Sequence, residues 1–440
     1  MLPRVKLIAV TFMLALTSSA PATWSIVIAD SQTKEIAVGT VTCLTNLDLL
    51  ALVPVVVVGK GGAAVQAAGD YQGFRRALIF QRLELGYSPQ EILDLLAQLS
   101  GHEDRQFGIV DTQGRMVTFS GSGNYQWAGG VIGNQGSMVY AIQGNILVGD
   151  CVVAAIEDAV LNTPGDVPAK LMAGMVAAGE MGGDGRCSCS PSQPMSCGCP
   201  PESFDKPGHI GGMVVSRSGD IDDTQCNASG CVDGDYFMHL NVPYQFSDDP
   251  DPVIQLQALF DEWRAALTGR PDAIQTQVEF TPVTIPPSGS ATTTMQITLL
   301  DWRGEPISAT INEVSVEHAD DSAGISSIGT VTDNGGGSFS VVLTAGTTTG
   351  IDRFTVRSDD GNRPVILMPT PSLRYYAFGD ANCDGIINAY DIDKFICAVS
   401  AECDYESLYP ACNRALSDCN QDGQVDAYDI DAFIDLIAGG

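Results

Sequence analysis

The sequence is short of positive charge. Lysine and arginine total 22 of 440 residues against 53 aspartates and glutamates, a formal net charge of −31. Phosphate backbones and anionic membrane surfaces are bound through clustered cations, so a general nucleic-acid binder is excluded and the charge argues against docking on an acidic membrane. Histidine is scarce as well: His102, His209, His239 and His318 are dispersed and form no metal or triad spacing. Long hydrophobic runs are missing. The apolar stretch Leu7 to Leu16 falls far short of the ~20 residues that span a bilayer, and no later run reaches that length, so no transmembrane segment is expected. Disorder is excluded in turn, because 45% of the residues are hydrophobic and only 17% are charged. At about 150 residues per domain, the length suggests roughly three domains.

What is present points out of the cell. Thirteen cysteines suit an oxidising compartment, and their odd total leaves at least one thiol unpaired within the chain. Arg4 and Lys6, the apolar run Leu7 to Leu16 and the small residues behind it form the three-part layout of a secretory signal peptide over residues 1–22. Ala20-Pro21-Ala22 fits the small-x-small cleavage rule and makes Thr23 the first residue of the exported chain. The expected location is secreted or cell-surface.

Three units follow. Residues 23–265 read as a mixed α/β domain: TWSIVIAD and EIAVGTVTC are strand-like, Val53 to Val58 is a buried strand running into a Gly59–Gly62 turn, and FGIVDTQGRMVTFSG is a hairpin. Further strand character runs through Val139 to Ile142. Tyr71 to Leu85, Ser88 to Leu99, Val152 to Leu161 and Ala169 to Glu180 carry helical patterns, the second opened by a capping box of Ser88 and Glu91 with Pro89 at the first turn. Two groups of strands with helices between them predict layered sheets covered by helices. Residues 273–373 are rich in Thr, Ser, Val and Gly, with alternation in TTTMQITLLD and GSFSVVLTAG and turns at Asp301–Gly304 and Asp333–Gly335, which predicts an all-β sandwich. Residues 378–440 set 13 acidic residues against only Lys394 and Arg414.

That last segment holds a repeat. Asp380, Asn382, Asp384, Asn388 and Asp391 place oxygen side chains at positions one, three, five, nine and twelve of a loop, with Gly385 at the sharp turn of position six and the backbone of Ile386 at position seven. The second copy is Asp418, Asn420, Asp422, Asp426 and Asp429, with Gly423 and the backbone of Gln424. Each loop runs into an apolar helical stripe, Ile392, Phe395, Ile396 and Val399, then Ile430, Phe433, Ile434 and Ile437. Two loop–helix units without the preceding helix of a full EF-hand resemble a type I dockerin. The resemblance implies a small α-helical module, two structural Ca2+ ions and a cohesin-type partner on a cell-surface complex, typically one handling polysaccharide. Ala389-Tyr390 and Ala427-Tyr428 occupy the recognition positions and are identical in the two copies.

In the first unit, TWSIVIAD, VGKGGAAVQ, FGIVDTQGRMVTFSG, QWAGG, QGNILVG and GGDGR follow in order. They resemble the domain of unknown function family 1028, which implies the four-layer αββα fold of N-terminal-nucleophile hydrolases over Thr23 to about Trp263. A threonine hydroxyl needs a base to become a nucleophile, and a free α-amine with a pKa near ~8 supplies one from the same residue. Cleavage before Thr23 creates this arrangement, so Thr23 is the candidate nucleophile; otherwise it is a plain strand residue. Asn145 is the candidate oxyanion donor, with Gly144 letting the backbone approach, or else a turn-forming Asn. Gln66 and Asp184 are weaker candidates with structural roles as the simpler reading.

Cys187, Cys189, Cys197 and Cys199 flank a Ser/Pro/Gln loop near Cys226 and Cys231. Four thiols at that spacing suit zinc, but in an exported protein disulfides across a hairpin are favoured. The sandwich, through LLDWRGEPISA and VTDNGGGSFSVVLTAGTTTGIDRFTV, resembles a bacterial immunoglobulin-like domain of the invasin type, which implies a spacer or adhesive unit. Together these features predict an exported, calcium-binding protein whose head hydrolyses an amide bond of a peptide or cell-wall substrate. Gly130, standing where the family often has a His after Trp-Ala-Gly, favours the alternative of a non-catalytic binding head. A role in hydrolysing O-glycosyl bonds rests only on the company dockerins keep, since no paired carboxylates mark a site.

Overall fold

Alternation along the first strand sets the layers. The computed structural model describes residues 23–222, 226–400 and 402–439, so the expected signal peptide lies outside the described residues. In β1 (Thr23–Asp30) every residue is buried, because even and odd positions face different partners. Trp24, Ile26 and Ile28 pack against helices, while Val27 and Ala29 face a second sheet.

The strands are β2 (Ile36–Thr42), β3 (Pro54–Val57), β4 (Gly61–Ala67), β5 (Arg105–Asp111), β6 (Met116–Ser120), β7 (Ala128–Gln135), β8 (Met138–Asn145), β9 (Ile210–Ser216) and β10 (Met238–Val242). One sheet runs β10-β9-β2-β1-β8-β7 and the other β3-β4-β5-β6. Helices α3 (Cys151–Asn162), α4 (Val167–Glu180) and α6 (Pro252–Ala266) cover the first sheet. Helices α1 (Phe74–Glu84) and α2 (Pro89–Leu96) cover the second through Ile79, Leu83, Ile92 and Leu96. A single turn, α5 (Gly185–Ser188), opens the cysteine-rich segment. The layers are therefore helix, sheet, sheet, helix. The capping box forms as expected, with Ser88 Oγ accepting from Glu91 N at 3.2 Å and Glu91 accepting from Ser88 N at 2.8 Å.

Two readings change. Gly61 and Gly62, taken as part of a turn, begin β4 instead: a Cβ on Gly62 would lie 2.6 Å from Ile36 Cγ2 of the facing sheet, so the glycine is there for close sheet packing. The second sandwich turn also moves, since Asp333–Gly335 lies within a strand and the chain reverses at Gly336 and Gly337, both at positive φ.

The sandwich comprises β11 (Gln277–Thr281), β12 (Thr292–Thr298), β13 (Glu313–His318), β14 (Ser327–Ile328), β15 (Thr332–Gly335), β16 (Ser338–Thr344), β17 (Gly350–Asp359), β18 (Val365–Ile366) and β19 (Ser372–Tyr375). They form two antiparallel sheets, β11-β12-β16-β14 with β15 on β16, and β13-β17-β18 with β19 on β17. Met295, Ile297, Val341 and Leu343 from one meet Phe354 and Val356 from the other. The chain ends in α7 (Ile392–Val399), the short α8 (Tyr405–Leu408) and α9 (Ile430–Ala438), where Phe395 and Phe433 stack at 3.8 Å between ring centroids. Only part of each predicted apolar stripe is buried: Ile396 is 57% and Ile434 55% exposed. A module this small has too little interior to cover both faces of its helices. Among the described residues no helix is long and apolar enough to cross a membrane.

Candidate functional site

Thr23 opens the central strand of the larger sheet, and β8 places Asn145 directly opposite it. Cross-strand partners share a face with Cβ atoms roughly 5 Å apart, so the two candidate residues are brought together. Both are buried, as are Gln66 and Asp184.

Beneath Thr23 lies a buried amide network that sequence reasoning missed. Gln66 Nε2 donates to the Thr23 carbonyl at 2.8 Å and to Gln106 Oε1 at 2.6 Å, and Gln66 Oε1 accepts from the Ser25 hydroxyl. Gln143 Nε2 donates to Ser25 Oγ at 2.8 Å, while Gln106 Nε2 reaches the Gly144 carbonyl at 2.8 Å and Ser120 Oγ at 2.6 Å. Gln66, Gln106 and Gln143 come from β4, β5 and β8, so the network spans both sheets at the Thr23 end. The available signal was a glutamine within a strand-like run in each of three segments, alone among apolar residues only in β4. Replacing Gln66 by Leu strands the Thr23 carbonyl, the Ser25 hydroxyl and the Gln106 carbonyl oxygen in the interior, and is expected to destabilise the head by about 3 kcal/mol. Thermal denaturation of the variant checks this; an unchanged midpoint would show that the network carries no stability.

Asp184 stands beside the same strand end. Its Oδ2 accepts from Cys43 N at 2.7 Å and from Arg186 Nη2 at 2.8 Å, and Gly185 N bonds the Ile146 carbonyl at 3.0 Å. Cys43 follows β2 and Ile146 follows β8, so Asp184 and Gly185 together tie the two strands flanking Thr23. A recess of about 20 Å3, lined by Thr23, Leu49, Val53, Gln66 and Tyr71, has room for a single water molecule. A cavity of about 580 Å3 between α4 and α6 is lined by none of these residues. At Gly130 a Cβ would lie 2.7 Å from the Ile142 carbonyl oxygen, so the backbone closes over the space a larger side chain would need.

The cysteines pair as Cys43–Cys187, Cys151–Cys199, Cys189–Cys197, Cys226–Cys231, Cys383–Cys412 and Cys397–Cys403, and Cys419 is free and buried. With all four thiols of the cysteine-rich segment in disulfides, none is a thiolate ligand for zinc. The expected hairpin staple is only partly right. Cys189 and Cys197 pair within the segment, but Cys187 and Cys199 reach out to the ends of the sheet, because the segment lies against β2 and the start of α3 rather than standing free. His209 Nε2 is 3.3 Å from Cys187 Sγ, and burial holds this imidazole below its usual range.

In the C-terminal repeat the two loops superpose in their bonding. Asp380 Oδ1 and Oδ2 accept from Asp384 N at 3.1 Å and Gly385 N at 2.9 Å; Asp418 does the same with Asp422 N at 3.1 Å and Gly423 N at 2.9 Å. Asp391 accepts from Asn382 N at 3.0 Å and Asn388 N at 2.8 Å, and Asp429 from Asn420 N at 3.1 Å and Asp426 N at 2.9 Å. Asp384 and Asp422 accept from Ile386 N and Gln424 N at 2.8 and 2.9 Å. Gly385 and Gly423, at φ 94° and 89°, make the turn that L side chains resist. Asp391 and Asp429 are fully buried carboxylates, and among the described residues neither loop has a Lys, Arg or His in ion-pair contact. Burial, with the neighbouring carboxylates, holds Asp380 and Asp418 above the ordinary aspartate range. Oxygen side chains are the ligand type a hard cation takes, but here they accept backbone N–H bonds, and among the described residues no three carboxylates of either loop lie within 4.8 Å of one another.

The comparisons fall on the first two units of the fold, covering only part of the head. Residues 23–192 match a family of unknown function (DUF1028), and residues 272–363 match invasin domain 3. No curated protein matches the chain. Among solved structures, protein SPO2555 from Silicibacter pomeroyi, which carries the same family description, is 20% identical over 55% of this chain and 88% of its own, with a TM-score of 0.38. The Yersinia pseudotuberculosis adhesin InvE is 26% identical over 21% of this chain and 26% of its own at a TM-score of 0.17, and InvD 22% identical over 23% and 27% at 0.19. The chain thus joins an α/β head similar to that family of unknown function to a β-sandwich of the invasin type.

Proposed function

We propose that this chain is an exported amidohydrolase whose nucleophile is Thr23, acting on the amide bond of a peptide or cell-wall substrate. The observation that carries this reading is the position of Thr23 at the start of the central strand, paired with Asn145 and fixed through its carbonyl by Gln66. Removal of residues 1–22 converts its amide nitrogen into a free amine that takes the proton from its own hydroxyl. The Asn145 amide is the donor for the oxyanion that forms when the hydroxyl attacks, while Asp184 and Gly185 together hold the flanking strands in register. Residues 23–265, 273–373 and 378–440 act as an N-terminal-nucleophile-hydrolase-like head, spacer and dockerin. The dockerin holds two Ca2+ ions through Asp380, Asn382, Asp384, Ile386, Asn388 and Asp391 and the matching set Asp418, Asn420, Asp422, Gln424, Asp426 and Asp429, and docks a cohesin-type partner.

N-terminal sequencing of the exported protein tests the head directly. Thr23 with a free amine is expected; a mature start at Pro21 or Ser25, or a blocked Thr23, removes the base the mechanism needs.

The second reading is a non-catalytic binding head on the same anchor. It is favoured by the 1% exposure of Thr23 in the uncleaved chain and by the closed backbone at Gly130.

A further inference from the structure

In a chain with so few cations, four arginines gather at one place, the junction of head and sandwich. Arg217, just after β9, is buried, and its guanidinium lies 3.7 Å from the Phe237 ring. Its Nε bonds Glu35 Oε1 at 2.9 Å at the foot of β2, its Nη1 bonds Asp272 Oδ2 at 2.7 Å where the sandwich begins, and its Nη2 lies 3.6 Å from Asp166 Oδ2 at the start of α4. Asp272 in turn caps the amides of Ile274 and Gln275 at 2.9 and 3.0 Å. Arg264 of α6 pairs with Asp166 and lies 4.9 Å from the ring of Trp302 in the sandwich. From the other side, Arg363 of the sandwich reaches Asp220 at 2.7 Å and Asp235 at 2.9 Å, and Arg270 in the connecting segment pairs with Asp360 at 2.7 Å.

We propose that Arg217 is the centre of an internal docking surface that holds head and sandwich as one rigid body, with the Thr23 end of the head turned away from the sandwich. Independent motion is the usual expectation for linked domains, but separating these two would break the Arg217–Asp272, Arg363–Asp220 and Arg363–Asp235 pairs and leave the buried Arg217 and Asp272 without each other. The orientation follows from the strands. Glu35, Arg217 and the β1–β2 turn lie at one end of the large sheet, and Thr23 lies at the other, seven residues or roughly 23 Å along β1. The sandwich therefore attaches opposite the Thr23 end. This arrangement does not depend on Thr23 being catalytic.

The cluster is also unbalanced. Glu35, Asp166 and Asp272 face Arg217 and Arg264, with Asp30 and Lys170 lining the cavity beside them. Burial pushes Glu35 up to about 7, with Asp166 and Asp272 adding to the rise against the pull of Arg217. Because the folded-state value is raised, the favourable contribution is full below the ordinary glutamate value and is lost as pH climbs through about 7, so the cluster loosens as pH rises past neutrality.

The test uses the full mature chain in calcium, by calorimetry and by amide exchange over residues 267–276. Head and sandwich are expected to melt in a single transition, with those amides protected. Arg217→Met should split the transition and speed exchange at least tenfold; since this variant strips a buried cluster and can unfold the head, Arg363→Ala, at the rim, is the second variant and should speed exchange with the head intact. Glu35→Gln should flatten the fall of the transition temperature between pH 6 and 8. Separate head and sandwich transitions in the wild type, or exchange over 267–276 unchanged in Arg363→Ala, would overturn the docking surface.

Discussion

Chelating calcium from the mature chain is expected to unfold residues 378–440 while the head and sandwich stay folded. The reason is electrostatic. Asp391 and Asp429 are buried without an ion pair among the described residues, and their loops carry two and three further carboxylates respectively. Only Lys394 and Arg414 offset the 13 acidic residues of this segment. Removing the cations leaves that repulsion against a core of few residues. A site at a thousandfold excess of calcium over its Kd contributes about 4 kcal/mol, so two sites exceed what such a module holds in reserve. The loss should also be uneven. Cys383–Cys412 and Cys397–Cys403 staple the first loop and its helix, while α9 is held by no disulfide, so the second copy should open first. Asp422→Ala should abolish one calcium equivalent and most α9 protection; Asp384→Ala should abolish one equivalent with a smaller loss of structure. Acid should weaken binding, because Asp380 and Asp418 hold their protons more tightly than ordinary aspartates. Calorimetric titration checks these points, and absence of calcium binding would end the dockerin reading.

Thr23→Ala should remove amide hydrolysis by about 10,000-fold or more, the scale on which loss of a nucleophile acts in hydrolases. The fold should survive, because β1 pairs through its backbone and the carbonyl that Gln66 holds is unchanged by the substitution. Thr23→Ser should keep measurable turnover, since the hydroxyl and the amine both remain. Turnover in Thr23→Ala equal to the wild type would place the chemistry elsewhere.

How much was legible depended on whether a residue's role was local. The capping box at Ser88 and the hairpin at Gly114 are written in neighbouring residues, and each forms as its spacing predicts; the repeat at Asp380 and Asp418 is equally local, and its two copies share one hydrogen-bond pattern. The pairing of Thr23 with Asn145 was not local, yet the two were singled out because nucleophile and oxyanion chemistry restrict the residue types. What stayed hidden depends on partners far along the chain. β7, with Gly129, Gly130 and Gly133, lacks a strand pattern and forms because β8 offers an edge. Gln106 and Gln143 look like ordinary polar interruptions, and Gln66 only like a weak candidate, until two sheets bring them under Thr23. The partners of Cys187 and Cys199 lie 144 and 48 residues away, beyond any spacing rule. The arginine cluster at the junction was equally invisible, since its acids come from three separate elements.

The most direct measurement of the central claim is covalent trapping of the exported protein with a β-lactone, an acylating probe that needs an activated hydroxyl, followed by peptide mass mapping. The account predicts one adduct, on a peptide whose first residue is Thr23, lost in Thr23→Ala. An adduct on any other residue, or a mature chain that begins elsewhere and takes no label, would contradict it.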